Sequence, residues 1–367
     1  MTLLSRVPEN IRSISPYVPG KPMTALSRET GVPLEKIIKL ASNENPLGMS
    51  PKARAAVEKI VSSSERYPDQ FDLIAKLATS LGVAGNQIAL GNGSNDVLDL
   101  LARIFLAPGT SAVMSQYAFA VYPISTATAG ARSIVVPALD FGHDLKAMAA
   151  AIDHTTRLVW IANPNNPTGN FLPYPELKAF LAQVPADVAV VLDEAYNEYL
   201  PSHLRDDATR WIAEFPNLII TRTFSKIYGL AGLRVGYAVA APEVADLLNR
   251  VRQPFNVNSL ALAAAHAAID DHEFLTKSFD QNQRGMKQLI QGLRRLNLTH
   301  IPAYGNFITI AVNDGAKINA SLLSQGVIVR PIGGYGLPNH LRVTIGLDSE
   351  NSRFLDALAV AIATLGD

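Results

Sequence analysis

Cysteine is absent from this chain of 367 residues. Disulfide bonds, iron–sulfur clusters, thiolate metal sites and cysteine nucleophiles are therefore excluded, because each of them requires a cysteine sulfur. A protein without disulfides suits a reducing compartment, and we expect a cytoplasmic location.

The chain also lacks an excess of charge of either sign, with 32 basic and 32 acidic residues. Without a net charge there is no long-range field to attract nucleic acid or an anionic membrane surface. We therefore predict neither nucleic acid nor membrane as a partner, and we expect any anionic ligand to be held by local charges.

Long apolar runs and clustered metal ligands are missing as well. The longest apolar stretch, around residues 260–269, is interrupted by His266 and is too short to span a bilayer. Residues 1–12 contain Arg6 and Glu9 and lack the apolar run of a signal peptide. None of the seven histidines forms an H-x-x-x-H pair, so the sequence predicts no metal site.

What the chain does contain is a large apolar fraction, 48% against 17% charged residues, which is typical of a compact globular protein. Short β-branched runs alternate with longer segments of helical period, and the clearest runs lie at 111–115, 133–136, 158–162, 188–192 and 218–221. That alternation predicts an α/β fold with a mostly parallel central sheet flanked by helices. Ser50 and Pro51 predict the N-cap and first residue of one helix, which continues to Val61.

The pattern changes after about Pro254. Two long helical segments, 260–270 and 273–296, precede strands near 307–312, 327–330 and 341–345. The opening, 7–46, is rich in proline and glycine and predicts an arm that packs across other elements and contacts a second subunit. We therefore expect an N-terminal arm at 1–46, a large α/β domain at 47–254 and a smaller α+β domain at 255–367.

The first candidate motif is the turn Leu-Gly-Asn-Gly-Ser-Asn-Asp at residues 90–96, which follows a short apolar strand and opens an amphipathic helix. Glycines there let backbone N–H groups close on an anion, and Ser94 and Asn95 add side-chain donors. An ordinary glycine-rich turn explains the same residues equally well. A dinucleotide-binding fingerprint needs a third glycine where Asp96 stands, so this turn counts against a nicotinamide enzyme.

The next two motifs directly follow apolar runs. In Asn-Pro-Asn-Asn-Pro-Thr-Gly, residues 163–169, two prolines hold the amide of Asn166 in a rigid loop, from which it is able to donate to a phenolate-like oxygen. In Asp-Glu-Ala-Tyr, residues 193–196, Asp193 emerges from a buried run, which is costly unless the acid meets a cation such as a protonated pyridine nitrogen. A plain turn and a helix-capping aspartate are the respective structural alternatives.

The fourth motif, residues 223–236, places Lys226 among small and apolar residues. A lysine desolvated in this way serves as a nucleophilic amine, while Ser225 and Arg234 are suited to contact a phosphate. Most lysines lie on the surface without such a role, but this one has an apolar, glycine-rich neighbourhood.

Together these motifs resemble those of the fold-type I aminotransferases, and most closely the histidinol-phosphate aminotransferase family. The resemblance extends from the segment Leu-Ala-Ser-Asn-Glu-Asn-Pro at 40–46 to Arg342. It implies pyridoxal 5'-phosphate as cofactor, with Lys226 as the Schiff-base lysine and proton carrier and Asp193 as partner of the pyridinium nitrogen. Tyr196 and Asn166 would donate to the ring hydroxyl oxygen.

The same resemblance assigns the cofactor phosphate to four residues, Ser94, Asn95, Ser225 and Arg234. Phe119 stands where the family often has a tyrosine that stacks on the cofactor ring, and Tyr117 is the alternative for that position. Trp160, inside an apolar run, is predicted to belong to the core.

The resemblance also implies the substrates. Arg342 matches the arginine that grips a carboxylate bidentately, and Arg330 would assist with a substrate phosphate. Tyr67 and Tyr17 match positions that family members contribute across a dimer interface. We therefore expect histidinol phosphate and glutamate or 2-oxoglutarate as substrates, and a homodimer with shared active sites.

Several alternatives stay open. Within the same fold, the motifs fit an aromatic amino-acid aminotransferase and, at greater chemical distance, a threonine-phosphate decarboxylase. A nicotinamide dehydrogenase would use the glycine-rich turn and need no reactive lysine. A catalytically silent protein would keep the cofactor pocket without turnover.

Overall fold

The computed structural model describes residues 2–365 of the chain. The strands are β1 Ile38–Lys39, β2 Ile88–Gly91, β3 Ser111–Ser115, β4 Arg132–Val136, β5 Thr156–Ala162, β6 Ala189–Asp193, β7 Leu218–Thr223, β8 Gly236–Val239, β9 Phe307–Ala311, β10 Val327–Ile328, β11 Arg330–Pro331 and β12 His340–Thr344. The α-helices are α1 Glu9–Arg12, α2 Met23–Thr30, α3 Pro51–Ile60, α4 Phe71–Leu81, α5 Ser94–Phe105, α6 Val121–Thr128, α7 Leu145–Ala150, α8 Tyr174–Leu181, α9 Pro242–Val251, α10 Ser259–Ile269, α11 His272–Arg295, α12 Gly315–Ser324 and α13 Asp348–Leu365.

Short 3-10 helices connect these elements. They span Leu3–Arg6, Leu34–Lys36, Val61–Ser63, Gly85–Gln87, Asn197–Tyr199, Ser202–Leu204, Ala208–Ala213, Ala231–Leu233 and Gly333–Tyr335.

A seven-stranded sheet forms the centre of the molecule, with its strands in the order β2, β8, β7, β6, β5, β3, β4. Alternate residues of β5 enter two different hydrophobic cores, Val159 and Ile161 one and Leu158 and Trp160 the other. Both faces of the sheet are therefore covered, as parallel sheets require. The predicted α/β architecture is confirmed, and so is the place of Trp160 in the core.

The strand directions position the functional loops. Five neighbouring strands run parallel to one another, namely β4, β3, β5, β6 and β7. Their carboxyl ends therefore lie at the same edge of the sheet. β8 is antiparallel to both β7 and β2. The connection 224–235 between β7 and β8 therefore returns over that edge, and it carries Lys226. The sequence analysis did not predict β8, because its four residues include Gly236 and Ala238, which are poor strand formers.

The C-terminal part forms a separate antiparallel sheet in the order β11, β12, β9, packed with α11, α12 and α13. The single strand expected at 327–330 is wrong. It is divided at the buried residue Val329, so that β10 pairs with β1 of the arm while β11 pairs with β12. This pairing attaches the N-terminal arm to the C-terminal part of the chain.

The proposed domain boundaries at 46 and 254 stay a prediction. Leu40, in the proposed arm, packs in the C-terminal core. Helix α10 lies after residue 254, yet its Ala261 and Ala265 belong to the core of the large sheet. The proposed arm and helix α10 thus contribute apolar side chains to cores on the far side of the proposed boundaries.

Helix α3 begins as predicted. Ser50 Oγ accepts a hydrogen bond from the N–H of Ala53, 3.2 Å away, and Pro51 occupies the first turn, where its missing N–H is not needed. The helix ends at Ile60, one residue earlier than predicted, and continues as the 3-10 turn Val61–Ser63.

Gly229, in the connection between β7 and β8, provides a test of this packing. Its φ is +70°, and a Cβ there would overlap the carbonyl oxygen of Gly48. We expect Gly229→Ala to lower the free energy of unfolding by roughly 2–4 kcal/mol, from backbone strain and overpacking together. Urea denaturation measures the change.

Gly232 is the matched control, because it lies three residues further along the same connection, where no atom would come within 4 Å of an added Cβ. Gly232→Ala should leave the urea midpoint nearly unchanged. Equal midpoints for the two variants would contradict the close approach of Gly229 to Gly48.

Candidate active site

A cavity of about 490 Å³ opens at the carboxyl ends of β5, β6 and β7, between the large sheet, the arm and β12. Eleven of the thirteen side chains proposed from the sequence line it. They are Tyr17, Ser94, Asn95, Phe119, Asn166, Asp193, Tyr196, Ser225, Lys226, Arg234 and Arg342. The structure thus brings together motifs that are up to 325 residues apart in the sequence, from Tyr17 to Arg342.

Asp193 is the last residue of β6 and is 5% exposed. Burial raises the pKa of its carboxyl group to about 6, although hydrogen bonds from its neighbours act in the opposite direction. One oxygen accepts from Tyr122 at 2.8 Å and the other from the N–H of Ala195 at 3.2 Å. Among residues 2–365, no basic side chain forms a salt bridge with it. The site therefore holds a buried acid that has hydrogen bonds but no counterion.

Tyr122 lines the cavity beside Asp193, and the sequence analysis did not propose it as a site residue. It lies on α6, is 1% exposed, and stacks parallel to Trp160 with ring centroids 5.0 Å apart. Its hydroxyl donates to Asp193 and thereby fixes the direction of the carboxylate. No sequence signal marks it, because α6 follows β3 and meets β6 only through the three-dimensional packing.

Lys226 is partly buried and flanked by the buried residues Ser225 and Ile227. Its ammonium group donates to the carbonyl oxygen of Ser42 at 3.4 Å. Burial, and after it the nearby positive charge of Arg342, lowers the pKa of the amine to about 8. Both effects favour the neutral, nucleophilic form of the amine.

Tyr196 lies between Lys226 and the small antiparallel sheet. Its ring is edge-on to Phe307, 5.2 Å between centroids, and Lys226 Nζ is 5.6 Å from its centroid. Its hydroxyl oxygen accepts a hydrogen bond from Asn43 Nδ2 at 2.9 Å. Burial raises the pKa of the phenol to about 12, so it stays protonated and able to donate at neutral pH.

The glycine-rich turn and the lysine loop meet at one corner of the cavity, whose groups are suited to an anion. Ser94 is the first residue of the 12-residue helix α5, whose free N–H groups favour an anion. The guanidinium of Arg234 lies directly against Gly93, where any Cβ would overlap it. Arg234 also donates to Ser225 Oγ at 3.4 Å. Two serines, a helix N-terminus and a cation thus converge on the same corner.

Arg342 is 5% exposed and has no acidic partner within the described residues. One Nη donates to Asn166 Oδ1 and the other to the carbonyl oxygen of Ala41 at 2.8 Å, while its Nε is buried without a partner. Burial lowers the pKa of this guanidinium. Because Asn166 turns its carbonyl oxygen to Arg342, its NH₂ group remains available as a donor. The loop of Asn166 contains two cis prolines, Pro164 and Pro167.

The structure distinguishes between the two aromatic candidates for ring stacking. Phe119 lines the cavity and contacts Tyr122 edge-on at 5.7 Å. Tyr117 points elsewhere and stacks on Phe141, 6.0 Å between centroids. Phe119 is therefore the side chain placed to cover a flat ligand.

Three proposed substrate residues lie at or beyond the rim. Tyr17 lines the cavity, and the guanidinium carbon of Arg330 is 5.2 Å from the centroid of its ring. Arg330 lines an adjacent cavity of about 820 Å³ that Tyr17 also borders. Tyr67 is 80% exposed, stacks on Phe255 and does not line the cavity of its own chain. Neither Arg330 nor Tyr67 is thus placed to contact a small ligand in this cavity. Contact would require a ligand that extends beyond the cavity, or the cavity of a second subunit.

No cluster of three or more potential metal ligands among His, Cys, Asp and Glu occurs in the described part of the chain. None of the helices in these residues has the length and apolar character that a membrane span requires.

Comparisons with known proteins show the family of the chain. Residues 35–358 match the family model described as aminotransferase class I and II. The chain is 66% identical to histidinol-phosphate aminotransferase 1 of Dechloromonas aromatica (strain RCB), over 99% of this chain and 100% of that protein. It is 59% identical to histidinol-phosphate aminotransferase 1 of Thiobacillus denitrificans (strain ATCC 25259 / T1), over 97% of this chain and 93% of that protein.

Among solved structures, the histidinol-phosphate aminotransferase of Sinorhizobium meliloti in complex with pyridoxal-5'-phosphate superposes with a TM-score of 0.91 at 29% identity, over 98% of each chain. The predicted fold class, a fold-type I pyridoxal-phosphate transferase with a mostly parallel sheet, is confirmed. The expected resemblance to histidinol-phosphate aminotransferases is confirmed as well.

The lowered pKa of Lys226 predicts when its amine reacts. Only the neutral amine is methylated by formaldehyde and a borohydride reagent, so in the cofactor-free protein the modification of Lys226 should rise with a midpoint near pH 8 instead of 10.5. Peptide mass spectrometry quantifies Lys226 separately from exposed lysines such as Lys59, which monitor the reagent.

Arg342→Gln should move this midpoint upwards, because it removes a positive charge that disfavours the ammonium form. Arg330→Gln, outside the cavity lining, is the control and should move it little. A midpoint near 10.5 in the unaltered protein would contradict the burial of the amine.

Proposed function

The chain belongs to the aminotransferase class I and II family, and we propose that it transfers an amino group between histidinol phosphate and 2-oxoglutarate with pyridoxal 5'-phosphate as cofactor. The reaction would convert L-histidinol phosphate and 2-oxoglutarate into imidazole acetol phosphate and L-glutamate, a step of histidine biosynthesis. The observation that carries this proposal is the amine of Lys226 sharing one cavity with the buried, counterion-free carboxylate of Asp193.

The side chains of the cavity fit the cofactor. A buried acid without a counterion suits a protonated pyridine nitrogen, which would replace the water that Asp193 has lost. The corner of Ser94, Ser225 and Arg234, with Asn95 at its edge, suits the phosphate. The NH₂ group of Asn166 and the hydroxyl of Tyr196 would donate to the ring hydroxyl oxygen.

Pyridoxal phosphate, when bound, supplies an aldehyde that bonds to amines and a protonated ring that withdraws electrons from the adjacent carbon. Lys226 would hold it covalently through Nζ in the resting enzyme. With a pKa of about 8, roughly one tenth of the amine is neutral at pH 7 and able to accept a proton. Once released by the substrate amine, Lys226 Nζ would remove the proton from the substrate Cα and return it elsewhere in the site.

Arg342 is the proposed anion anchor of the substrate. Its buried Nε has no partner, so a carboxylate or phosphate would complete its hydrogen bonding. Glutamate would present its α-carboxylate there and histidinol phosphate its phosphorylated hydroxymethyl group. Arg330 would add a second positive charge near the substrate phosphate, because its guanidinium lies against the ring of Tyr17.

A homodimer with shared active sites accounts for Tyr67. This ring is exposed and outside the cavity of its own chain, so a contribution to catalysis requires the cavity of a second subunit. The exposed side chains of the arm, such as Leu3 and Leu4, offer further apolar surface for this contact. A cytoplasmic location, without nucleic-acid or membrane partners, fits small-molecule substrates of this kind.

The test is an assay of the purified enzyme with 2-oxoglutarate against histidinol phosphate, phenylalanine and tyrosine, ranked by kcat/KM. The proposal predicts a clear preference for histidinol phosphate. Preference for phenylalanine or tyrosine would identify an aromatic amino-acid aminotransferase, and release of CO₂ from a phosphorylated amino acid would identify a decarboxylase.

Lys226→Ala should lower the turnover of histidinol phosphate by a factor on the order of a thousand or more, because it removes both the covalent attachment and the proton carrier. The cofactor should then be removable by dialysis. Lys226→Arg keeps the positive charge and should fail equally, whereas Lys59→Ala on the exposed side of α3 should retain full activity. Substantial turnover by the folded Lys226→Ala protein would refute the role of this amine.

Arg342→Lys tests the anion anchor. A point charge replaces a planar fork that donates in two directions, so we expect KM for both glutamate and histidinol phosphate to rise by roughly tenfold or more. Arg54→Lys on exposed α3 is the control. Unchanged KM values would show that another residue binds the anion.

A further inference from the structure

Asn43 is a buried amide of the arm whose role the resemblance left open. It is 1% exposed, and its φ of +55° is a conformation that asparagine tolerates better than most residues. Its backbone N–H donates to Thr344 Oγ1 at 2.9 Å, and its carbonyl oxygen accepts from Asn306 Nδ2 at 3.0 Å. Asn43 is therefore held rigidly by residues of the C-terminal part of the chain.

The side chain of Asn43 links two hydroxyl groups. Thr344 Oγ1 donates to Asn43 Oδ1 at 3.1 Å, and Asn43 Nδ2 donates to the hydroxyl oxygen of Tyr196 at 2.9 Å. The opposite orientation of the amide would turn its NH₂ group to Thr344 and leave the threonine hydrogen without an acceptor there. The observed orientation gives a partner to the Asn43 oxygen, to its NH₂ group and to the threonine hydrogen.

The direction of the last hydrogen bond determines what Tyr196 is able to do. A phenol has one hydrogen to donate, and a hydrogen bond accepted from Asn43 does not use it. Within the described residues, no other hydrogen bond is made by the Tyr196 hydroxyl, and its ring borders the cavity. The phenolic hydrogen is therefore free to point into the cavity.

The strand that orients Asn43 also carries the anion anchor. Thr344 and Arg342 are two residues apart on β12, so their side chains lie on the same face. Arg342 donates to the carbonyl oxygen of Ala41, and the N–H of Thr344 donates to the carbonyl oxygen of Leu40 at 2.9 Å. Segment 40–43 is thus held by β12 at both of its ends.

We propose that Asn43 is a positioning residue that directs the Tyr196 hydroxyl: by donating to this oxygen, it makes Tyr196 a donor towards the cavity. This inference rests on the proposed function, in which the acceptor is the anionic ring oxygen of pyridoxal phosphate. Thr344 fixes the amide that does the directing, and β12 couples this arrangement to the site of substrate binding.

Asn43→Asp is the sharpest test, because it keeps the size and tolerates the positive φ but replaces the donor with an acceptor. The carboxylate would draw the phenolic hydrogen of Tyr196 away from the cavity. Without that hydrogen bond, the anionic ring oxygen is less stable and holds its proton to higher pH. We expect the pH midpoint of the visible absorption band of the bound cofactor to rise by about one unit, and the affinity of the cofactor-free protein for pyridoxal phosphate to fall roughly tenfold.

A double-mutant cycle separates direction of Tyr196 from a general loss of structure. Tyr196→Phe should raise the same midpoint. Asn43→Asp added to Tyr196→Phe should raise it by much less than in the unaltered protein, because no phenolic hydrogen remains to be directed and only the added negative charge acts. A shift that Asn43→Asp produces equally in the Tyr196→Phe protein would overturn the inference, and so would an Asn43→Asp midpoint equal to that of the unaltered protein.

Thr344 provides a second test that leaves residue 43 intact, in case Asn43→Asp does not fold. Thr344→Val removes the hydroxyl that fixes the amide and should give a midpoint between those of the unaltered protein and Tyr196→Phe. Thr344→Ser retains the hydroxyl and should match the unaltered protein; equal midpoints for Val and Ser would contradict the inference. Failure of the unaltered protein to bind pyridoxal phosphate would instead refute the proposed function itself.

Discussion

A carboxylate at the end of a fully buried strand is the constraint on which the rest of this active site depends. Water does not reach Asp193 freely, and its hydrogen bonds come from a phenol and a backbone amide instead of from a cation. An unpaired buried charge is costly, so the protein gains when a positively charged group arrives beside it. The cavity is in this sense prepared for a ligand that brings a cation, and a protonated pyridine ring is such a ligand.

On the other side of the cavity, two basic groups lie close together without an acidic partner. Lys226 and Arg342 share a poorly solvated space, so each positive charge disfavours the other. Arg342 always keeps its proton, so the repulsion favours loss of the proton from Lys226, whose pKa is lowered to about 8. Arg342, the proposed anchor of the substrate anion, thus also lowers the pKa of the amine. Neutralisation of Arg342 by a bound anion would make Lys226 a stronger base.

Much of the fold was predictable, because β-branched runs buried on both faces are nearly continuous in the sequence. All five predicted strands of the main sheet agree with the observed ones to within two residues at each end, and 111–115 matches without any difference. The motifs that contain Lys226, Asp193 and Asn166 were predictable for a related reason. Each of them begins at the end of such a strand, so the strand pattern locates it in the sequence. Gly236–Val239 was not, because a short antiparallel strand with two small residues has no distinctive pattern.

Long-range contacts explain what the sequence analysis missed in the site. Tyr122 lies 71 residues from Asp193, and the partners of Asn43 lie 153 and 301 residues away, at Tyr196 and Thr344. The direction of these hydrogen bonds depends on how sheet, arm and small sheet pack together, and no local motif records it. The choice of Phe119 over Tyr117 is of the same kind, since both are aromatic and only the turn after β3 decides which one faces the cavity.

The central claim is that Asp193 binds the cofactor as an anion to a cationic ring nitrogen. Nitrogen NMR of the protein loaded with pyridoxal phosphate labelled with ¹⁵N in the ring tests it most directly, in comparison with Asp193→Asn. We expect a protonated ring nitrogen at mildly alkaline pH in the unaltered protein and an unprotonated one in the variant, with the cofactor still bound in both. An unprotonated ring nitrogen beside intact Asp193, or the same protonation in both proteins, would contradict it.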